Sequence, residues 1–177
     1  MNKITDNNEK VIIRKAVKSD AKALIDYLNV IGGQSDFLTF GQGEFKKSIK
    51  QAEQSIENCI KKNNSLLIIA EINGNIVGNL DFSAGITPRI AHVGEFGVSV
   101  LKRYWGKGIG EELIKYLIEY SKKSGIIRKI NLKVRIDNIP AIALYRKLGF
   151  IQEGIIRRDF FINGNFYDCL IMGLLID

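Results

Sequence analysis

Residues Tyr104–Leu117 read YWGKGIGEELIKYL. Glycines stand at 106, 108 and 110, and an apolar-periodic segment follows without a break. Ile109, Leu113 and Leu117, with Ile114 and Ile118, share one side of the helix this spacing predicts. Glycine loses more conformational freedom on folding than any other residue. Three of them in five residues imply that something approaches this backbone closely. A helix N-terminus there presents unpaired N–H groups and the positive end of the helix dipole, which together make an anion site. Lys102, Arg103 and Lys107 add positive charge nearby.

The segments on either side of this helix read as strands. RIAHVGEFGVSV, residues 89–100, is apolar enough for the centre of a sheet, and KINLKVRI, residues 129–136, follows the cap at Gly125. Strand, helix, strand at this length is a βαβ unit, so the two strands are expected to be parallel. Further out, VIIRKAV (11–17) is a strand, and Ser19 and Asp20 offer an N-cap to a helix carrying Ala21, Leu24, Ile25 and Leu28 and closed by Gly32-Gly33. A loop with Phe37, Leu38 and Phe40 leads into a long helix whose stripe Phe45, Ile49, Ala52, Ile56 and Ile60 is expected in the core. Asn73-Gly74 and Asn163-Gly164 each turn a hairpin. Pro140 and Gly149 bracket a short helix. The order is β-α-α-β-β-β-α-β-α-β-β: a mixed, mostly antiparallel sheet with one parallel pair in its middle and about four flanking helices, of the α/β (α+β) class. Residues 1–10 read as a loose, flexible tail, and 11–177 as a single domain.

Composition narrows the function classes. The chain has 177 residues, 46% of them apolar and 25% charged, with a net charge of +7. A basic balance suits an anionic partner, whether nucleic acid, a membrane surface or a phosphorylated cofactor. The basic residues are scattered, and no basic run alternates with aromatics, which argues against nucleic acid. No apolar run approaches the ~18 residues of a membrane span, and the polar start lacks the apolar core of a signal peptide. Two distant cysteines, Cys59 and Cys169, fit free thiols in a reducing cytoplasm. One histidine and two distant cysteines make no metal constellation.

Three phosphate-binding loops compete for WGKGIG. The P-loop requires Ser or Thr after its lysine, where this chain has Gly108, and the dinucleotide fingerprint requires G-x-G-x-x-G. The third fits: WGKGIG after a strand resembles the pyrophosphate loop Q/R-x-x-G-x-G/A of the GNAT acetyltransferase superfamily. DNIPAIALYRKLGF, residues 137–150, resembles that family's second signature, N-x-x-A-x-x-L-Y-x-K-x-G-F. The two stand in the family's order, one strand apart, and the element order is also the family's. Trp105 stands where the family has Gln or Arg.

The resemblance implies a GNAT acyl-CoA N-acyltransferase fold, with acetyl-CoA as cosubstrate lying in a V-shaped opening between two splayed parallel strands. It implies that Val98, Ser99 and Val100 offer backbone groups to the pantetheine arm. Trp105, Gly106, Lys107, Gly108, Ile109 and Gly110 cradle the pyrophosphate. Asn138 hydrogen-bonds the pantetheine, Tyr145 sits near the sulfur and Lys147 lies towards the nucleotide. The expected reaction is direct attack of a primary amine, on a small molecule or a protein N-terminus, at the thioester carbonyl. Tyr145 is the candidate acid for the leaving thiolate, with packing alone as its other reading. Glu95 is the candidate base, on the expectation that burial in an apolar strand raises its pKa, or else a structural or edge charge. Strict alternation puts His92 on the opposite face from Glu95. Phe37, Leu38 and Phe40 either wall the acceptor pocket or anchor their loop. A homodimer is expected, without nucleic-acid or membrane partners. The rival reading is a non-catalytic acyl-CoA-binding module or a basic nucleic-acid-binding protein.

Overall fold

The structure, a computed structural model, describes residues 2–4 and 9–177. The elements in chain order are β1 (Asn2–Ile4), β2 (Lys10–Lys15), α1 (Ala21–Gly32), α2 (Ile49–Lys61), β3 (Ser65–Ile72), β4 (Asn75–Ala84), β5 (Val93–Val100), α3 (Ile109–Ser124), β6 (Lys129–Arg135), α4 (Ile139–Lys147), β7 (Ile151–Ile162) and β8 (Asn165–Leu175). Among the described residues, eight strands form one sheet in the order β1-β2-β3-β4-β5-β6-β8-β7. Every neighbouring pair is antiparallel except β5 and β6. Apart from the added N-terminal strand β1, the α+β class, the order of elements and the central parallel pair match the sequence reading.

Local chemistry explains the ends of the elements. Asn73-Gly74 and Asn163-Gly164 all have positive φ, as a two-residue hairpin turn requires. Ser48 and Gln51 form a reciprocal capping box that starts α2 at Ile49. Gly125 ends α3 in the left-handed region, at φ 67°.

Four expectations need correction. Residues 1–10 are not wholly a tail, because Asn2–Ile4 pair with β2 and Lys10 already belongs to it; Met1 and residues 5–8 lie outside the described residues. Asp20 does not cap α1 with its side chain. Its carboxylate is drawn instead to the Arg14 guanidinium and the Val17 N–H, each at 2.7 Å. Arg89–His92 form turns, so β5 begins at Val93 and His92 lies outside the strand. In the α2 stripe only Ala52 and Ile56 are buried. Ile49 and Ile60 are exposed because the two ends of the helix overhang its packing surface, and Phe45 precedes the capped start.

The core fills both sides of the sheet. The Tyr27 hydroxyl of α1 lies 2.8 Å from Ser99 Oγ, which places α1, and α2 packed beside it, on the face carrying Glu95, Gly97 and Ser99. Phe96, Val98 and Val100 point the other way. Phe96 meets Tyr145 of α4, and Val100 lies against Gly110 of α3.

Candidate functional site

The parallel pair holds together over three residues only: Val93, Gly94 and Glu95 lie opposite Lys129, Ile130 and Asn131. Gly94 is required at this join, since a Cβ there would come within 2.4 Å of the Phe82 ring. Beyond Glu95 each strand follows its other neighbour, β5 staying with β4 to Val100 and β6 with β8 to Arg135. The Phe96, Tyr145 and Phe150 rings pack where the pairing stops, with centroids 5.8–6.0 Å apart. They form an aromatic wedge at the root of a V-shaped opening.

The opening leaves one edge of β5 without a strand partner. In an antiparallel ladder a residue turns both backbone groups toward the same neighbour, and the next residue turns them away. The Leu101 N–H donates to Val77 O in β4 at 2.9 Å. By alternation Val98 and Val100 turn their groups toward the gap. The Trp105 indole confirms that direction, donating from Nε1 to Val100 O at 2.6 Å. Trp105 therefore occupies one carbonyl of this edge and lies half exposed beside the glycines.

The glycine loop stands at the mouth of the same opening. A 3-10 turn, Lys102–Tyr104, carries the chain from β5 into it. Gly106 and Gly108 have φ of 74° and 72°, and α3 starts immediately afterwards. Only glycine adopts such angles without strain. Successive left-handed and helical residues turn backbone N–H groups to one side, making a concavity suited to anions. Lys107 and Arg103 both lie over the Tyr104 ring, at 5.0 and 4.8 Å.

α4 supplies the other residues expected from sequence. Asn138 caps it, accepting from the Ala141 N–H at 3.3 Å. Tyr145 is buried, and burial alone pushes its hydroxyl up to about 12. That hydroxyl stays protonated at any working pH. Lys147 pairs with Glu111 in the first turn of α3 at 2.7 Å, which ties the end of α4 to the glycine loop. Lys147 and then Lys115 hold the Glu111 carboxyl down at about 2.

Glu95 faces the α1/α2 side, and the expected burial does not occur: its side chain is exposed, because no helix covers this part of the face. His92 is exposed as well. Around Glu95 the sheet presents groups that the sequence reading missed. Tyr27, Ser99 and the buried Asn79 form a chain, Ser99 Oγ donating to Asn79 Oδ1 at 2.7 Å. Burial pushes the Tyr27 hydroxyl well above the ordinary phenol range, against the opposing pull of its hydrogen bond to Ser99. Asp81 lies cross-strand from Gly97. It reaches solvent, yet protein crowds it on most sides, and this desolvation pushes its carboxyl upward; Lys47 opposes the shift. Two signals pointed to these residues: a tyrosine three positions after Leu24 on an apolar stripe, and a carboxylate in an apolar strand, the same signal that marked Glu95.

A cavity of about 410 Å³ lies beside α1, lined by residues including Asp26, Tyr27, Gln34, Leu101 and Arg103. It adjoins the opening but contains neither the glycine loop, Tyr145 nor Glu95. The splayed strands, where unpaired backbone and loop converge, are the stronger candidate.

Residues 35–150, more than half of the chain, match the acetyltransferase (GNAT) family. The chain belongs to that family. A solved GNAT acetyltransferase from Streptococcus pneumoniae superposes with a TM-score of 0.92 at 32% identity, covering 94% of this chain and 99% of that one. The L-amino acid N-acetyltransferase AaaT of Escherichia coli K12 is 34% identical over 59% of this chain, an alignment spanning 65% of its own length. A spermidine N(1)-acetyltransferase of Vibrio cholerae is 24% identical over 95% of this chain and 94% of its own. The GNAT signatures at 105–110 and 137–150 thus sit on the two sides of one opening.

Proposed function

We propose that this chain transfers the acetyl group of acetyl-CoA to a primary amine by direct attack. The observation that carries this reading is the juxtaposition of a splayed parallel pair with a left-handed glycine loop at a helix N-terminus. The loop Trp105–Gly110 would hold the pyrophosphate. The gap-facing groups of Val98 and the Val100 N–H would pair with the pantetheine along the edge that β6 abandons, the Val100 carbonyl being taken by Trp105. Ser99, between them, keeps its side chain on the acceptor face. Asn138 would add a contact from the head of α4, and Lys147 would lie towards the nucleotide.

The chemistry follows from charge. Amine attack places negative charge on the carbonyl oxygen, and backbone N–H groups beside the splay stabilise it. The departing thiolate needs a proton or a strong donor. Tyr145, protonated and in an apolar wedge, offers its hydroxyl. A lysine-like amine is ~10 in pKa and must lose a proton before it attacks. Glu95 would take that proton directly or through water, from the face opposite Tyr145. The relatives include an L-amino acid N-acetyltransferase and a spermidine N(1)-acetyltransferase, so both acceptor types belong in the test.

The test is an amine panel of amino acids, polyamines and an N-terminal peptide, followed by release of the CoA thiol. Turnover with one class is expected. Absence of release with every amine, together with no rise in melting temperature on adding acetyl-CoA, would refute the proposal. A rise with oligonucleotide instead would favour a nucleic-acid-binding protein.

A further inference from the structure

We propose that Arg135 is a positioning residue that clamps the segment 34–37 across the open ends of β5 and β6, and so fixes the entrance by which the acceptor amine reaches the thioester. The second half of this statement rests on the acetyl-transfer reading above; the clamp itself does not.

The segment is fastened at two points, one on each splayed strand. At the β5 end the Lys102 N–H donates to Gln34 Oε1 at 2.9 Å. At the β6 end Arg135 Nη1 donates to Asp36 O at 2.9 Å. Residues 34–37 therefore bridge the two arms of the V. The loop also doubles back on α1: a Cβ at Gly32 would lie 2.6 Å from Gly41 O.

Arg135 is only 6% exposed. Burying a guanidinium costs free energy unless it is hydrogen-bonded and paired, and here each of the three nitrogens has a partner. Its Nε and Nη2 make a bidentate pair with Asp137 at 3.0 and 2.6 Å. Its plane lies 3.6 Å from the centroid of the Tyr167 ring of β8 and 4.9 Å from that of Phe37. One side chain thus joins the strap, the end of β6, the hairpin β7–β8 and the residue preceding the α4 cap. The bidentate pair and the close ring contact require a planar fork, which lysine lacks. The clamp lies on the α1/α2 face with Glu95, while the glycine loop is reached from the other face. Loosening it is expected to disturb the acceptor and spare the cofactor.

The test compares wild type with Arg135→Lys, Gln34→Ala and Tyr167→Phe by backbone hydrogen exchange, and then by kinetics with the best acceptor. Arg135→Lys and Gln34→Ala are expected to speed exchange in residues 33–40. In Arg135→Lys the acceptor KM is expected to rise about tenfold, part of the ~10²-fold that a misplacement of about 1 Å can cost, while the KM for acetyl-CoA stays within about twofold. Tyr167→Phe keeps the ring but removes a hydroxyl within reach of Arg135, and is expected to fall between wild type and Arg135→Lys in exchange at 33–40. Unchanged exchange at 33–40 in Arg135→Lys and Gln34→Ala would overturn the clamp. A fall in kcat with both KM values unchanged, or an equal rise in both, would overturn its role at the acceptor entrance. Should Arg135→Lys fail to fold, Gln34→Ala releases the other fastening and decides alone. If wild type acetylates no amine, the transfer reading fails, and the exchange result still decides whether the strap is clamped.

Discussion

On the α3/α4 face of the splayed strands the groups we propose for binding are backbone: the left-handed glycines 106 and 108, the first turn of α3, and the gap-facing edge of Val98 and Val100. On the α1/α2 face they are side chains. Tyr27, Asn79, Asp81, Glu95, Ser99 and Arg135 arrive from four separate elements. A backbone site is built from contiguous residues and demands glycine at fixed places. A side-chain site is built by the fold and tolerates many residue types. The first face can hold the same cofactor throughout a family, and the second can change the acceptor from one member to the next.

The largest expected effect breaks the first face alone. Gly108→Val forces a β-branched residue to φ 72°, at a strain of order 1–3 kcal/mol. At ligand near 100 times the dissociation constant, wild type is expected to gain ~2.7 kcal/mol from acetyl-CoA. The variant is expected to lose most of that gain while remaining folded when unliganded. Parallel melting curves with and without acetyl-CoA read both quantities.

Next in size is Tyr145→Phe, which acts between the faces. The three-ring wedge accepts a phenylalanine, so cofactor binding is expected to survive. Turnover is expected to fall by ~10²-fold. Because the hydroxyl is held at about 12, the wild-type rate is expected to show no loss from Tyr145 deprotonation between pH 8 and 10. An unchanged kcat in the variant would reduce Tyr145 to packing.

Glu95→Gln probes the acceptor face. The deficit is expected to be roughly tenfold near neutral pH, below the 10²–10⁴ typical of general acid–base groups, because water reaches this carboxylate and shares its task. It is expected to shrink as pH rises, when more of the amine is already neutral. A deficit independent of pH would remove Glu95 as the base.

The smallest effect concerns the tie between α3 and α4. Glu111 falls to about 2 from an ordinary 4.5, chiefly through Lys147. A depressed carboxyl contributes stability that is present above its unfolded value and lost as pH falls towards the folded one. Wild type is therefore expected to lose this part between about pH 4.5 and 2. Glu111→Gln is expected to lack that increment, about 0.5 kcal/mol for a solvent-reached pair, as seen in denaturation midpoints at pH 6 and pH 3.

How much could be read beforehand follows the same division. The glycines, the Pro140 and Gly149 brackets and the two Asn-Gly turns are local signals, and they placed the elements. The splay was implied by family resemblance, not by residue patterns, because it depends on where β5 and β6 leave each other for β4 and β8. Exposure of Ile49 and Ile60 was illegible because the helical stripe says which side faces inward but not how far the packing surface extends. Glu95 was expected to be buried on the strength of its apolar neighbours, but alternation puts those neighbours on the other face. Arg135 gave no signal of its own in the sequence: apart from Asp137, its partners lie at positions 36, 37 and 167, far away along the chain.

The central claim is that unpaired backbone in the β5–β6 opening holds acetyl-CoA. Hydrogen exchange of the individual backbone amides, with and without acetyl-CoA, measures it most directly. The expected result is slowed exchange at Val98, Val100 and residues 106–110 on adding the cofactor, with β1–β3 unaffected. Binding without protection at these amides, or protection confined to the cavity beside α1, would contradict it.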